Sequence, residues 1–466
     1  MEKGMKQIFK ILVFFLVLGV LCVCAYRILS WKDTTGDYLS SLEQLYQTPE
    51  NTMDVVFVGS SHCYCSIYPA YFWMDEGIAA FDMAVSGQDK ASSYHTLVEV
   101  LKTQSPKVVC VDMYGLLFDR HAIEGNEYRN MLSMKPSRNS VELVREYVEP
   151  EKQMDFILRW PIIHTRYWEL GKYDYVPYEP STFGRGARYQ WKEALVEAGY
   201  PDEEGVAELE EANLAWLKRL EDLSRKENFE LIFFVAPFYI SKEEQQIMNA
   251  AAVFAEQEGI PFLDFNKKRK ELDLKDDKDF VEIFHVNGYG ARKITRFFCS
   301  YLKENYDLQD RRGQKGYELW DKDLEWFRHL EFAALFGGND PYRYVIELKT
   351  GENLLSVISI EGISEDELGD YMQSLRHLGF SEEDLLRGGR WIFREGSLTK
   401  IMENDPSEKE YRLDLSDSDS LRVRYTGRRE ANDIMINYTE YLNPEKPVSI
   451  VTYDCFLHDL ICGQYF

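Results

Sequence analysis

The sequence predicts an α/β domain on a doubly wound parallel sheet, preceded by a transmembrane helix and followed by a β-rich domain. Three observations carry this expectation. Short apolar runs recur at 54–58, 78–83, 108–114, 231–237 and 260–265, and helical patterns at 92–102, 206–226 and 243–258 connect or precede them. Past residue 307 that alternation gives way to successive strand-like runs with one helical interruption. At the other end, an uncharged, apolar run fills 11–26.

The five runs are continuous in apolar character rather than alternating, as in parallel strands covered on both faces. Alternation with amphipathic helices implies βαβ crossovers, and ligands of such sheets bind beyond the carboxyl ends of the strands. The domain is expected at 53–305. Residues 33–52 are polar and read as a stalk. Residues 124–201 break the rhythm with aromatics and arginines (FILRWPIIHTRYWEL, then FGRGARYQW), an insertion expected to cap the active-site edge. The charged segment 306–324, with its LQDRRGQKG run, reads as a linker. Within 325–466, strands are expected at 344–348, 355–360, 411–415, 421–425, 434–438 and 448–453, with a helix at 365–378.

At 466 residues the chain has room for two or three cores, and its 45% hydrophobic and 14% aromatic content marks it as ordered. A formal charge of −25 argues against nucleic acid, whose phosphates demand a basic footprint. Neutral glycans, or polymers carrying some positive charge, stay compatible with it. Eight cysteines in such a length do not make a disulfide scaffold. Cys63, Cys65, Cys110 and Cys299 read as small buried hydrophobes, whereas Cys455 and Cys462 are left open as a pair.

With Ile8, Phe9, Ile28 and Leu29 added, and Lys10 and Arg27 snorkelling, the apolar run is long enough for a bilayer of roughly 30 Å. Lys3, Lys6 and Lys10 favour a cytoplasmic N-terminus. Val23-Cys24-Ala25 would serve as a cleavage site, so a signal peptide is the rival. The anchor is preferred because apolar residues continue past that site. Both readings put the remainder of the chain outside the cytoplasm, in the first case as a single-pass protein of the cell membrane.

Two blocks carry chemistry. Gly59-Ser60-Ser61-His62 follows the first run and opens a helix, where a sharp strand-to-helix turn exposes a hydroxyl near free N–H groups. Far downstream stands Glu282-Ile283-Phe284-His285-Val286-Asn287-Gly288-Tyr289-Gly290. His285 there supplies a base, Glu282 an orienting carboxylate with Asp279 as the alternative, and Asn287 a helix N-cap. No spacing of metal ligands is present, and no cofactor is implied.

Together these blocks resemble the SGNH/GDSL hydrolase superfamily, and within it the membrane-anchored bacterial branch of DltD-like proteins and alginate acetyltransferases. The resemblance implies a flavodoxin-like sheet, Ser61 as nucleophile, and an oxyanion hole formed by the N–H groups of Ser61 and Gly87. Trp160 to Trp168 is similar to an insertion of that branch, making His164, Arg166, Tyr167 and Trp168 candidate substrate contacts. Two departures stand out. The acid is Glu282 where the family usually has Asp, and the oxyanion Asn of the third block is missing, leaving Tyr114 or Gln88 as substitutes. The C-terminal region weakly resembles interleukin-like EMT inducer (PANDER-like) domains, implying glycan or partner binding. The function so implied is an extracytoplasmic serine O-acyltransferase or esterase. Its partners would be a cell-envelope polysaccharide or teichoic-acid-like polymer and a membrane-bound O-acyltransferase. The alternative is a non-catalytic envelope protein that binds glycan or such a membrane partner.

Overall fold

The computed structural model describes the chain apart from residues 1, 31–39, 118–130, 133, 176–183, 337–343, 346–347, 350–353, 406–408, 417–418, 429–431, 456–458 and 466. Of the expected insertion, 124–130, 133 and 176–183 lie outside the described residues, as do 33–39 of the expected stalk. The chain divides into two compact units, Met1–Leu324 and Glu325–Phe466.

The first unit begins with helix α1 (Glu2–Leu29). Its span Met5–Leu29 contains an 18-residue stretch of mean hydropathy 2.9, long and apolar enough to cross a membrane or to serve as a signal sequence. Helix α2 (Ser40–Gln47) follows, and its Leu42 and Leu45 are buried in the core. The second half of the expected stalk is therefore an amphipathic helix packed on the domain.

Strands β1 (Val55–Val58), β2 (Ala80–Asp82), β3 (Val108–Asp112), β4 (Glu230–Val235) and β5 (Phe262–Asp264) form one parallel sheet. Their order is β2-β1-β3-β4-β5. This is the doubly wound order expected from sequence, and its direction reverses between β1 and β3. Both faces are covered. Val56 and Val58 point into a cluster with Val109, Val111 and Phe233. Phe57 meets Phe72, Phe234 and Phe298 on the other face, with ring centroids 5.4–6.1 Å apart.

Residues 306–324 are no free linker. Arg311 forms a bidentate pair with Asp54, Trp320 is 2% exposed, and its indole donates to Ala80 O. Asp323 pairs with buried Arg185, whose guanidinium also donates to Thr48 Oγ1 and lies over the Trp320 ring. Arg185 belongs to a turn that lies hard on β2. Gly186 (φ +87°) comes so close that a Cβ would meet Asp82 O at 1.7 Å. The local charge run hid these contacts because the apolar residues in it are few and widely spaced.

The second unit holds two antiparallel sheets. One has the order β10-β9-β8-β15-β16 and the other β11-β12-β13-β14. The members of the first are β8 (Leu354–Ile360), β9 (Gly389–Arg394), β10 (Ser397–Glu403), β15 (Val448–Asp454) and β16 (Asp459–Tyr465). Those of the second are β11 (Lys409–Asp414), β12 (Ser420–Tyr425), β13 (Asp433–Ile436) and β14 (Thr439–Glu440). Sequence reading missed the β9–β10 hairpin, although Glu395-Gly396 at its tip supplies the two positive φ angles its turn needs. The expected strand at 344–348 is helical where described, and Tyr344, Val345 and Leu348 are all buried. That spacing of i, i+1 and i+4 is one helical face. Cys22, Cys24, Cys63, Cys65, Cys110, Cys299 and Cys455 are free thiols, with Cys63, Cys65, Cys110 and Cys299 buried.

Candidate active site

The chain leaves β1 through Gly59, which packs so tightly that a Cβ there would meet Asp112 Cβ at 2.5 Å. The two serines that follow then diverge in role. Ser60 is the N-cap of helix α3 (Ser61–Ser66), accepting from His62 N and donating to Asp112 Oδ2 at 3.3 Å. It is 1% exposed. Ser61, the first helical residue, is half-buried, and its hydroxyl donates to His285 Nε2 at 2.7 Å. In the opening turn of α3 the N–H groups of His62, Cys63 and Tyr64 have partners on Ser60. Ser61 N–H has none among the described hydrogen bonds, as expected for the first residue of a helix.

His285 reaches Ser61 from a hairpin of two short strands, β6 (Phe280–Glu282) and β7 (His285–Val286). Glu282 and His285 are cross-strand partners in it. This explains their spacing of three: Ile283 and Phe284 form the turn, and both side chains project from the same hairpin end. The Glu282 carboxylate accepts from His285 Nδ1–H through Oε1 and from Phe284 N through Oε2. Because a carboxylate only accepts, Nδ1 carries the proton and Nε2 is left to accept from Ser61.

The hairpin is held from behind by Asn287, fully buried as the N-cap of the helix Gly288–Asn305. Its amide also donates to Lys192 O, Lys278 O and Phe280 O. Gly288 N donates to Gln190 O at 2.6 Å, and a Cβ on Gly288 would strike the Trp191 ring at 2.5 Å. Asp279 is occupied elsewhere, bonded to Lys275 N and Lys293 Nζ, so Glu282 is the acid beside His285.

Burial lowers the pKa of His285, Glu282 opposes that shift, and Arg188 adds to it through its charge. His285 is therefore mainly neutral at pH 7 and able to take a proton. For any ester turnover in which it acts as base, the acid limb of kcat/KM should have its midpoint below 6.5. Glu282→Gln removes the influence that raises the pKa and should move that midpoint lower still. A pH–rate profile of the two proteins checks this, and a limb that rises above 6.5 or shifts upward in Glu282→Gln refutes the assignment.

His62 is buried against the site, stacked on Tyr114 with ring centroids 3.5 Å apart and 4.9 Å from the His285 ring. Burial, and secondarily the charge of His285, keep its pKa well below the usual imidazole range. Asp112, which accepts from Ser60, and Asp82, which accepts from Cys63 Sγ and Ala84 N, are both buried, which raises their pKa values to about 7 and about 8. Burial thus shifts both carboxyls toward their neutral forms.

The other candidates fall in different places. Gly87 (φ +64°) sits in the turn after β2, on the sheet edge that carries Ser61. Gln88 is buried, accepting from Gly59 N and donating to Thr96 Oγ1, so it braces the turn after β1 rather than standing open to substrate. Tyr114 is half-buried between His62 and Phe238. His164, Arg166, Tyr167 and Trp168 belong instead with α1. The Arg166 guanidinium donates to Leu29 O and Ser30 O and pairs with Asp174. The part of the insertion that borders the site is 188–191: Arg188 N donates to Tyr64 O, Gln190 O accepts from Gly288 N, and the Arg188 charge acts on His285. Phe238 and Arg188 were not singled out from sequence, although the FGRGARYQW run had marked the second of them, and His62 was read as the last residue of the Gly59–His62 block.

The comparison with protein families finds no matching family model, and the comparison with curated proteins finds no match. Fold and site geometry thus define the chain only as a doubly wound α/β protein with a Ser–His–Glu constellation at its topological switch point.

Proposed function

We propose that the first unit is an SGNH-type serine O-acyltransferase or esterase acting outside the cytoplasm on cell-envelope glycans or glycopolymers. The observation that carries this reading is the hydrogen-bonded chain Ser61–His285–Glu282. Ser61 Oγ attacks an ester carbonyl while its proton passes to His285 Nε2, and Glu282 holds the resulting imidazolium. The Ser61 and Gly87 N–H groups receive the oxyanion. His285 returns the proton to the departing alkoxide, leaving an acyl-enzyme. In the second half, His285 deprotonates water or an acceptor hydroxyl that takes the acyl group. No metal or cofactor enters these steps. Helix α1, retained as an anchor, keeps the unit beside an envelope polymer and a membrane-bound acyl donor. The second unit supplies glycan or partner contacts.

The non-catalytic reading has one observation in its favour. β3 ends in Asp112, not Asn, and the Gln88 amide is engaged with Gly59 and Thr96. The oxyanion is then left with fewer donors, and each missing donor typically costs about 10²–10³ in rate.

Transfer is separable from hydrolysis by experiment. Orientation of an acceptor supplies effective molarities of about 10⁵ M or more, against water at roughly 55 M. The protein should be given an activated acetyl ester with and without cell-wall glycan fragments. Acetylated glycan is expected, with free acetate falling as acceptor is added. Acetate release indifferent to every glycan identifies an esterase, and no turnover with no labelling by a fluorophosphonate supports the binding protein.

A further inference from the structure

We propose that the short helices at 153–175 form a collar that lies in the bilayer interface around the outer end of α1, an inference that rests on α1 being retained as an anchor. Along α1, residues 5–24 are exposed, whereas Ala25, Tyr26, Ile28, Leu29 and Ser30 are half-buried. What covers that last turn is the insertion. Trp160–Ile163, His164–Trp168 and Lys172–Tyr175 all pack against α1. Tyr26 and Trp160 make an edge-to-face contact at 5.9 Å. Arg166, only 8% exposed, donates to Leu29 O at 2.8 Å and Ser30 O at 2.6 Å. These are carbonyls that a helix end leaves without intrahelical partners, and a cation there also suits the helix dipole.

The same segment turns a dense set of large apolar groups to the outside. Met154, Leu158, Trp160, Tyr167, Trp168 and Tyr175 are all exposed, Trp168 to 76%. Exposed aromatics clustered in this way mark an interaction surface. Continuity with α1 identifies the occupant. Of these, Trp160, Tyr167, Trp168 and Tyr175 sit on elements that grip the residues at which α1 leaves the apolar run, the level at which a spanning helix meets headgroups. Trp and Tyr concentrate at that level because each has an apolar body and a polar tip. Among the described side chains of 153–175, the exposed charged ones, Asp155 and Glu169, are acidic, and Arg166 is buried in its own pairings. Attachment therefore comes from inserted rings, not from attraction to anionic lipid. With the collar seated and Arg166 clamping the helix end, the unit would be held at a set height and tilt instead of swinging on a stalk.

The full-length chain in nanodiscs tests this through quenching of Trp emission by brominated phosphatidylcholine. Relative to the parent, Trp160→Phe/Trp168→Phe should lose at least about half of the bromine-dependent quenching, as expected when interfacial indoles are removed. Trp391→Phe, in the second unit, should leave it unchanged, and Trp31 is common to all these proteins. If the double variant does not fold, Trp168→Phe alone, at an exposed position, gives the same readout at smaller amplitude. Quenching unchanged in these variants, while mass spectrometry finds the N-terminus intact, overturns the collar and leaves the anchor standing. Mature chains beginning at Tyr26 overturn both. Quenching that requires anionic lipid overturns ring insertion. Fluorophosphonate labelling of Ser61, followed in the same samples, reports on the hydrolase reading independently.

Discussion

Ser61→Ala should abolish fluorophosphonate labelling and lower ester turnover by about 10⁴–10⁶-fold, the loss typical when a nucleophile is removed from a cooperating set. Ser60→Ala is the informative control. It removes the N-cap of α3 and the partner of Asp112, so it should cost about 1 kcal/mol of stability and yet keep most labelling. His285→Ala should match Ser61→Ala, because proton removal from Ser61 depends on Nε2. Glu282→Gln should cost about 10²–10⁴-fold, since the carboxylate orients the ring and balances its charge without bonding to substrate. Active-site titration with the probe, followed by peptide mass mapping, separates these cases. Labelling that persists in Ser61→Ala, or vanishes in Ser60→Ala with the fold intact, would assign the nucleophile differently.

Asp323→Ala should destabilise the first unit by about 3–5 kcal/mol, the cost of leaving a buried guanidinium without its counter-charge. Arg185 is 2% exposed, and Asp323 is its carboxylate partner. At about 2–4 °C per kcal/mol for a domain of some size, the melting transition should fall by roughly 6–20 °C. The double variant Arg185→Met/Asp323→Leu should recover most of that loss, because replacing a buried pair by apolar groups of similar volume is often neutral. Thermal melts of the full chain in detergent, followed by near-UV circular dichroism, read the difference. An unchanged melt in Asp323→Ala would mean that the Arg185–Asp323 pair contributes nothing to the stability of the first unit. A chain truncated at 310 should fail for the same reason, since it loses Tyr317, Trp320 and Asp323 together.

Much of the scaffold could be read from local pattern. Continuous apolar runs marked the five parallel strands, and the intervening periodicity marked the helices Lys90–Val100, Glu211–Glu227 and Lys242–Glu258 to within a few residues. These signals survive in a bare sequence because each depends on neighbours two to four positions away. The candidate site was legible for a related reason. Gly59-Ser60-Ser61 and Glu282-x-x-His285-x-Asn287 each compress a turn, a cap and a reactive group into a few residues, and α/β topology brings such turns to one sheet edge.

Local pattern by itself decided the strand–helix alternation, the apolar N-terminal helix and the position of both reactive blocks. Tertiary structure alone decided where the arginines went. Arg166 and Arg185 lie in one aromatic-rich stretch, yet the first closes the end of α1 and the second finds Asp323, 138 residues away. It also decided that the charged segment 306–324 belongs to the first core, and that 344–348, β-like in composition, is helical where described. A charge has no periodicity to announce its partner. Its place is set by which counter-charge or helix end the folded chain brings within about 4 Å, since an unpaired charge cannot stay buried.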